Sequence, residues 1–236
     1  MDPAKVPSWN KPDSAALEAA AAEQRPIVLY FPDEADSEYE LYGDDWAALS
    51  KEDALFIKIP YTADREKSPW VEDSIIPTSK LLSPNPSLEY GVSVGKADLF
   101  VCDSYGNSYF RPGAKVKADA LKALIGKVKD EADKADKKLF KNLEKARDQH
   151  TKQDDKNAVK TLLKNFKEGV VGLPSQVESI KLYHEIMDAG RDRIKEMQEK
   201  GDVNGLKGIA KDYKGTDLEK EANEALKNPS TQTTKG

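Results

Sequence analysis

Residues 25–31 read Arg-Pro-Ile-Val-Leu-Tyr-Phe, a proline followed by five uninterrupted apolar residues. The run has strand length and is rich in β-branched and aromatic side chains. It carries no polar residue at odd or even positions, the pattern of a strand covered on both faces. A second run of this kind, Ala54-Leu55-Phe56-Ile57-Lys58-Ile59, stops at Pro60. Upstream, SAALEAAAAEQ (14–24) predicts a helix of about three turns, with Asp13 or Ser14 as N-cap. Arg25-Pro26 closes it, because proline cannot continue a helix from its interior. Between the two strands, DEADSEYELYGDDWAALSKED (33–53) sets Leu41, Trp46 and Leu49 at helix-compatible spacing. Its acids come early, where the positive end of a helix dipole favours them. The order so far is helix, strand, helix, strand.

Beyond Pro60 the pattern breaks. Five prolines fall within the 27 residues from Pro60 to Pro86, interleaved with Tyr61, Trp70, Ile75 and Ile76. No regular element tolerates that density, so 60–88 reads as a long ordered insertion. Then KADLFVC (96–102) and NSYFR (107–111) flank Asp103-Ser104-Tyr105-Gly106, a β-hairpin signature. From Val116 to Gln149 the spacing of Leu121, Leu124, Ile125, Val128, Leu139 and Leu143 predicts one long amphipathic helix. Further helices are expected at about 155–168, 174–200, 203–213 and 216–227, the second opening at Pro174, a preferred first-turn residue. The last two, DVNGLKGIAKDYKGTDLEKEANEAL (202–226), resemble a degenerate tetratricopeptide-type hairpin whose period is not sustained.

Composition marks the same division. Of 236 residues, 38 % are hydrophobic and 33 % charged, enough apolar content for a core. Before Gly113 there are 20 acidic and 10 basic residues, a net charge of −10; after it there are 22 and 27, a net charge of +5. Eleven of the thirteen prolines, all three tryptophans and seven of the nine tyrosines precede residue 114, which separates a mixed region from a helical one. The charge asymmetry suits either self-docking of the two regions or an oppositely charged external partner.

The element order resembles that of thioredoxin-like domains, and several local strings match that family across residues 9–130. Trp9 precedes the Ala-rich helix, Arg25-Pro26 opens the first core strand, and Tyr90-Gly91-Val92 stands before the third. The turn Asp103-Ser104-Tyr105-Gly106 resembles the family's Asp-x-x-Gly hairpin. The expected fold class is therefore α/β (α+β), a thioredoxin-like domain with a central mixed sheet followed by an all-α helical region. The boundaries read as an N-terminal segment 1–13, the thioredoxin-like domain 14–130, the helical region 131–228 and a tail 229–236.

The resemblance stops at the active-site motifs. A Cys-x-x-Cys pair would fall near Asp36 and Tyr39, and neither is a thiol. A cis-proline would fall at Lys96 or Ala97, and the Ile76-Pro77-Thr78 string that imitates it is followed by no core strand. Cys102 is the single cysteine, so dithiol chemistry and an internal disulfide are both excluded. Glutathione transferases share the layout of a thioredoxin-like half followed by helices. They lack the extra N-terminal helix and carry a cis-proline and a glutathione site not found here.

Several chemistries have no motif in the chain. His150 and His184 stand alone on predicted helices, and the face of His184 with Val177, Ile180, Tyr183, Met187 and Ile194 reads as packing. The acidic stretch from Asp33 to Asp45 has seven acids and no base but lacks EF-hand spacing, so it reads as a solvated face or a docking patch. No metal site or cofactor motif is found and none is expected. Lysines in the helical region alternate with acids, which argues against nucleic acid. No apolar run approaches the roughly 20 residues that span a bilayer, so no membrane partner is expected.

The leading expectation is a non-catalytic protein-binding, scaffold or chaperone-type module. Its partner is a protein or peptide, met by Tyr61, Trp70 and Ile76 of the insertion and by the former active-site face around Asp36 and Tyr39. Two alternatives stand beside it: a monothiol or glutathione-linked enzyme acting through Cys102, and a purely structural assembly subunit. The branch of the family with Trp9 and Arg25-Pro26 is often exported, which favours an extracytoplasmic place, with Met1 standing in place of a removed signal peptide, over a cytoplasmic one; a single cysteine is compatible with either.

Overall fold

The computed structural model describes residues 2–36, 41–64, 66 and 75–227. Tyr39, Trp70 and the tail 229–236 lie outside the described residues. Two compact units divide the chain, one of Met1–Asp136 with Val170–Leu173 and one of Lys137–Gly169 with Pro174–Gly236.

The first unit is built on a mixed five-stranded sheet of order β1-β3-β2-β4-β5. Strand β2 (Ile27–Phe31) is buried at every residue, as its unbroken apolar run requires. It pairs in parallel with β3 (Leu55–Lys58) and antiparallel with β4 (Asp98–Cys102), whose other neighbour is antiparallel β5 (Ser108–Phe110). The alternation of side chains along a strand divides β2 between two cores. Val28 and Tyr30 face a cluster with Phe56, Leu99, Val101, Trp46 and Leu121. Ile27, Leu29 and Phe31 face another with Ile57, Phe100, Cys102, Leu81 and Tyr90.

Helix α1 (Ser14–Glu23) covers the second face through Ala16 and Ala20, and Asp13 caps it by accepting from Ala16 N at 2.9 Å. Helix α2 (Asp44–Ala48) covers the first face and runs into a π-helical turn, Leu49–Asp53. The Arg25 guanidinium reaches that turn and donates to the carbonyls of Ser50 (3.0 Å) and Lys51 (2.6 Å). Helix α3 (Pro86–Glu89) is a single turn before Tyr90.

Three features depart from the sequence reading. Trp9 and Asn10, assigned to an N-terminal segment, form the edge strand β1, parallel to β3. Two residues carry no periodicity. Their place is set by the Trp9 ring, 5.5 Å from Tyr30 and 5.6 Å from Phe56, and by Asn10 Nδ2 donating to Phe56 O at 3.0 Å. The long helix expected from Val116 to Gln149 is two, α4 (Ala118–Ile125) and α5 (Val128–Thr151). The break falls at Gly126, whose helix propensity is weak, and Leu121, Ile125 and Val128 on either side of it all reach the sheet cluster.

The second unit contains helices α6 (Asp155–Lys167), α7 (Pro174–Lys200), α8 (Val203–Asp212) and α9 (Asp217–Lys227) together with the later part of α5. The α7 stripe is the third correction. It buries Ser179, Leu182, Tyr183, Ile186, Met187 and Ile194, while Val177 and His184 are exposed. Tyr183, Met187 and Ile194 of the expected face are buried and Ile180 is half-buried, and Ser179 turns inward beside them, its hydroxyl accepting from Asn165 Nδ2 of α6 at 2.9 Å, so only the Val177 and His184 side of that face departs from the expectation. No described helix is long and apolar enough to cross a membrane.

Candidate functional site: a groove beyond the third strand

Strand β3 ends at Lys58, and one further bond, Ile59 N to Tyr30 O at 2.9 Å, continues its pairing with β2. Pro60 has no N–H to extend the ladder, so the chain turns out of the sheet. Tyr61 emerges there 36 % exposed. The 3₁₀ turn Lys80–Leu82 forms the facing wall. Leu81 is fully buried in the core under α1, and this sends its neighbour Leu82 outward, 49 % exposed. Pro84 and Pro86 continue that wall, and Pro12 closes a third side. The open groove has a volume of ≈ 330 Å³.

Asn85 fixes the two sides of this groove. As N-cap of α3 it accepts from Leu88 N at 3.1 Å, and its Nδ2 donates to Asp64 O at 2.9 Å. The groove therefore presents two exposed apolar side chains on a backbone held from behind, the arrangement that lowers the ordering cost of binding.

A second concavity of ≈ 420 Å³ lies where β2 ends and β4 begins, lined by Asp33, Lys96, Ala97 and residues 112–115. Its surroundings are ionic. Lys58 pairs with Asp36 at 2.6 Å, and Asp36 has a left-handed backbone with φ 52°. Arg111 holds Asp98 at 2.6 Å and lies over the Phe100 ring at 4.9 Å.

The expected site residues thus separate. Tyr61 lines the first groove, and Leu82, which sequence reasoning missed, is its partner. Ile76 is half-buried and lines neither concavity, and Asp36 sits with Lys58 and also lines neither. Tyr39 and Trp70 fall outside the described residues.

Cys102 is fully buried on β4 beside Ile27 and Phe100. Burial pushes its thiol well above the ordinary value, and the nearby Asp103 carboxylate pushes it further against a smaller opposing effect of Lys80. Both effects disfavour the thiolate, which is the nucleophilic form of a cysteine. His150 is not alone, contrary to the sequence reading. Its Nδ1 is 2.6 Å from Asp155 and its Nε2 is 3.8 Å from Glu185. Among the described residues, no three His, Cys, Asp or Glu side chains gather as a metal site.

No protein-family model matches the chain, and searches of the curated proteins and of the solved structures return no match.

Proposed function

We propose that the chain is a non-catalytic module of thioredoxin-like type that binds an extended polypeptide segment in the groove between Tyr61 and Leu82. The strand order β1-β3-β2-β4-β5, with β1, β3 and β2 parallel and the β2-β4 and β4-β5 pairs antiparallel, supports the fold half of this reading. The observation that carries the functional half is the pair of exposed apolar side chains held across a preformed groove by Asn85. Charge selects among peptides. The first 112 residues carry a net charge of −10, and Asp64 lines the groove, so the preferred segment is apolar at its centre and basic at its flanks.

The buried thiol gives the monothiol alternative no support. The test is selection from a displayed random peptide library on the intact chain, with Leu82→Asp as the counter-selecting variant. Selected peptides should have apolar centres and Lys or Arg flanks. Tyr61→Ala and Leu82→Asp should each weaken them by about tenfold or more. Peptides that bind both variants as tightly as the parent protein would remove the site.

A further inference from the structure

The turn between β4 and β5 holds a buried carboxylate. Asp103 Oδ1 accepts from Tyr105 N at 2.9 Å and Asn107 N at 3.0 Å, and its Oδ2 accepts from Asn107 Nδ2 at 2.8 Å and the Tyr109 hydroxyl at 3.1 Å. Four donors converge on one side chain. Asn107 in turn grips a remote stretch of chain: Nδ2 donates to Val171 O and Oδ1 accepts from Val171 N, both at 2.8 Å. Val171 belongs to Val170–Leu173, the one stretch of later sequence that clusters with the sheet. Its neighbour Gly172, at φ 75°, lies so close to the Tyr105 ring that an added Cβ would stand 2.2 Å from a ring carbon.

The orientation of the Asn107 amide decides whether the grip exists. An ionised carboxylate accepts and cannot donate, so it holds the NH₂ end of Asn107 toward itself. That leaves the second N–H and the carbonyl oxygen aimed at the two backbone groups of Val171. We propose that Asp103 and Asn107 form an acid-sensitive clasp on the Val170–Leu173 strap, closed while the carboxylate is ionised and loosened when it takes up a proton. A proton on Oδ2 turns an acceptor of two bonds into a donor that needs an acceptor. The Tyr109 hydroxyl accepts that proton by turning its own away, and the Asn107 amide accepts it only by exchanging its ends, which breaks both bonds to Val171; either way the charge-assisted bond that orients Nδ2 toward Oδ2 is weakened, and the clasp with it.

The charged and titratable groups around Asp103 are these. Cys102 on β4, Tyr109 on β5 and Tyr90 at the end of α3 are all pushed upward, chiefly by burial, and stay neutral when Asp103 titrates. Lys80 lies over the Tyr90 ring at 5.9 Å and also acts on Cys102, and Asp136 on α5 acts on Tyr109. Burial also raises Asp103 above the ordinary carboxylate value, against the pull of its hydrogen bonds.

The experiment is amide hydrogen exchange at Val171 in the intact chain, followed by NMR while the Asp103 carboxyl signal reports its own protonation. Protection at Val171 should fall by about tenfold in step with that signal, while protection at Leu29 in the central strand stays constant. Asp103→Asn, whose NH₂ end mimics the protonated oxygen, should show the low protection at every pH. Asp136→Asn should keep the parent pH step. Constant protection at Val171 through the Asp103 titration, parent-level protection in Asp103→Asn, or loss of the step in Asp136→Asn would each overturn the clasp.

Discussion

Asp155 opens α6 with its side chain 12 % exposed, between His150 Nδ1 at 2.6 Å and the Arg193 guanidinium at 2.5 Å. Burial alone would raise this carboxyl. The hydrogen bonds from His150 and Arg193, with the Arg193 charge, outweigh it and hold the group below its ordinary value. A carboxyl lowered in the folded state binds its proton more readily in the unfolded chain. Its stabilisation is therefore complete above the unfolded value and is lost as pH falls through the folded one. Asp155→Asn should cost about 1–2 kcal/mol at neutral pH, and urea denaturation at a series of pH values should show that difference shrinking under acid. A difference that does not change with pH would assign the effect to packing instead. Cys102 makes a simpler case. Alkylation of the native protein should be slow and become fast only on unfolding, since both burial and the Asp103 charge disfavour its thiolate.

At the scale of elements, helix-to-helix approach is set by small residues at particular places. Gly190 on α7 faces Leu218 of α9, and an added Cβ would stand 2.3 Å from a Leu218 methyl carbon. Gly208 on α8 has nothing within 4 Å of the same position. Gly190→Ala should destabilise by about 1–3 kcal/mol through overpacking, and Gly208→Ala should stabilise by roughly 0.5–1 kcal/mol through helix propensity. Thermal unfolding of the two variants against the parent protein checks both signs. The same scale explains what was legible in the sequence. Strand β2 and the strand half of the hairpin at 98–102 could be read because every position of β2, and every position of the second after Asp98, is apolar and buried. Helix α1 could be read from its cap and its closing proline. The two-residue β1 could not, since its pairing depends on the distant Phe56, and neither could the break at Gly126-Lys127, where the apolar stripe continues across the gap. In the groove, Tyr61 was visible as an aromatic stranded after Pro60. Leu82 was not, because in the pair Leu81-Leu82 only the core can decide which side chain turns in.

Taken whole, the molecule places an acidic sheet unit and a helical unit in one chain, with α5 running from the first into the second and residues 170–173 returning to the first. The acidic surplus of the N-terminal part and the exposed pair Tyr61 and Leu82 both lie in the sheet unit, and together they define the binding claim. The most direct measurement is an NMR titration of the intact chain with two peptides that share an apolar centre, one flanked by lysines and one by glutamates. The basic peptide should shift the amides of Tyr61, Leu82, Ser83 and Ser87, with affinity that falls as salt is added, and the acidic peptide should shift them little. Equal binding of both peptides, or shifts gathered at Asp33, Lys96 and Lys115 instead, would contradict the binding claim.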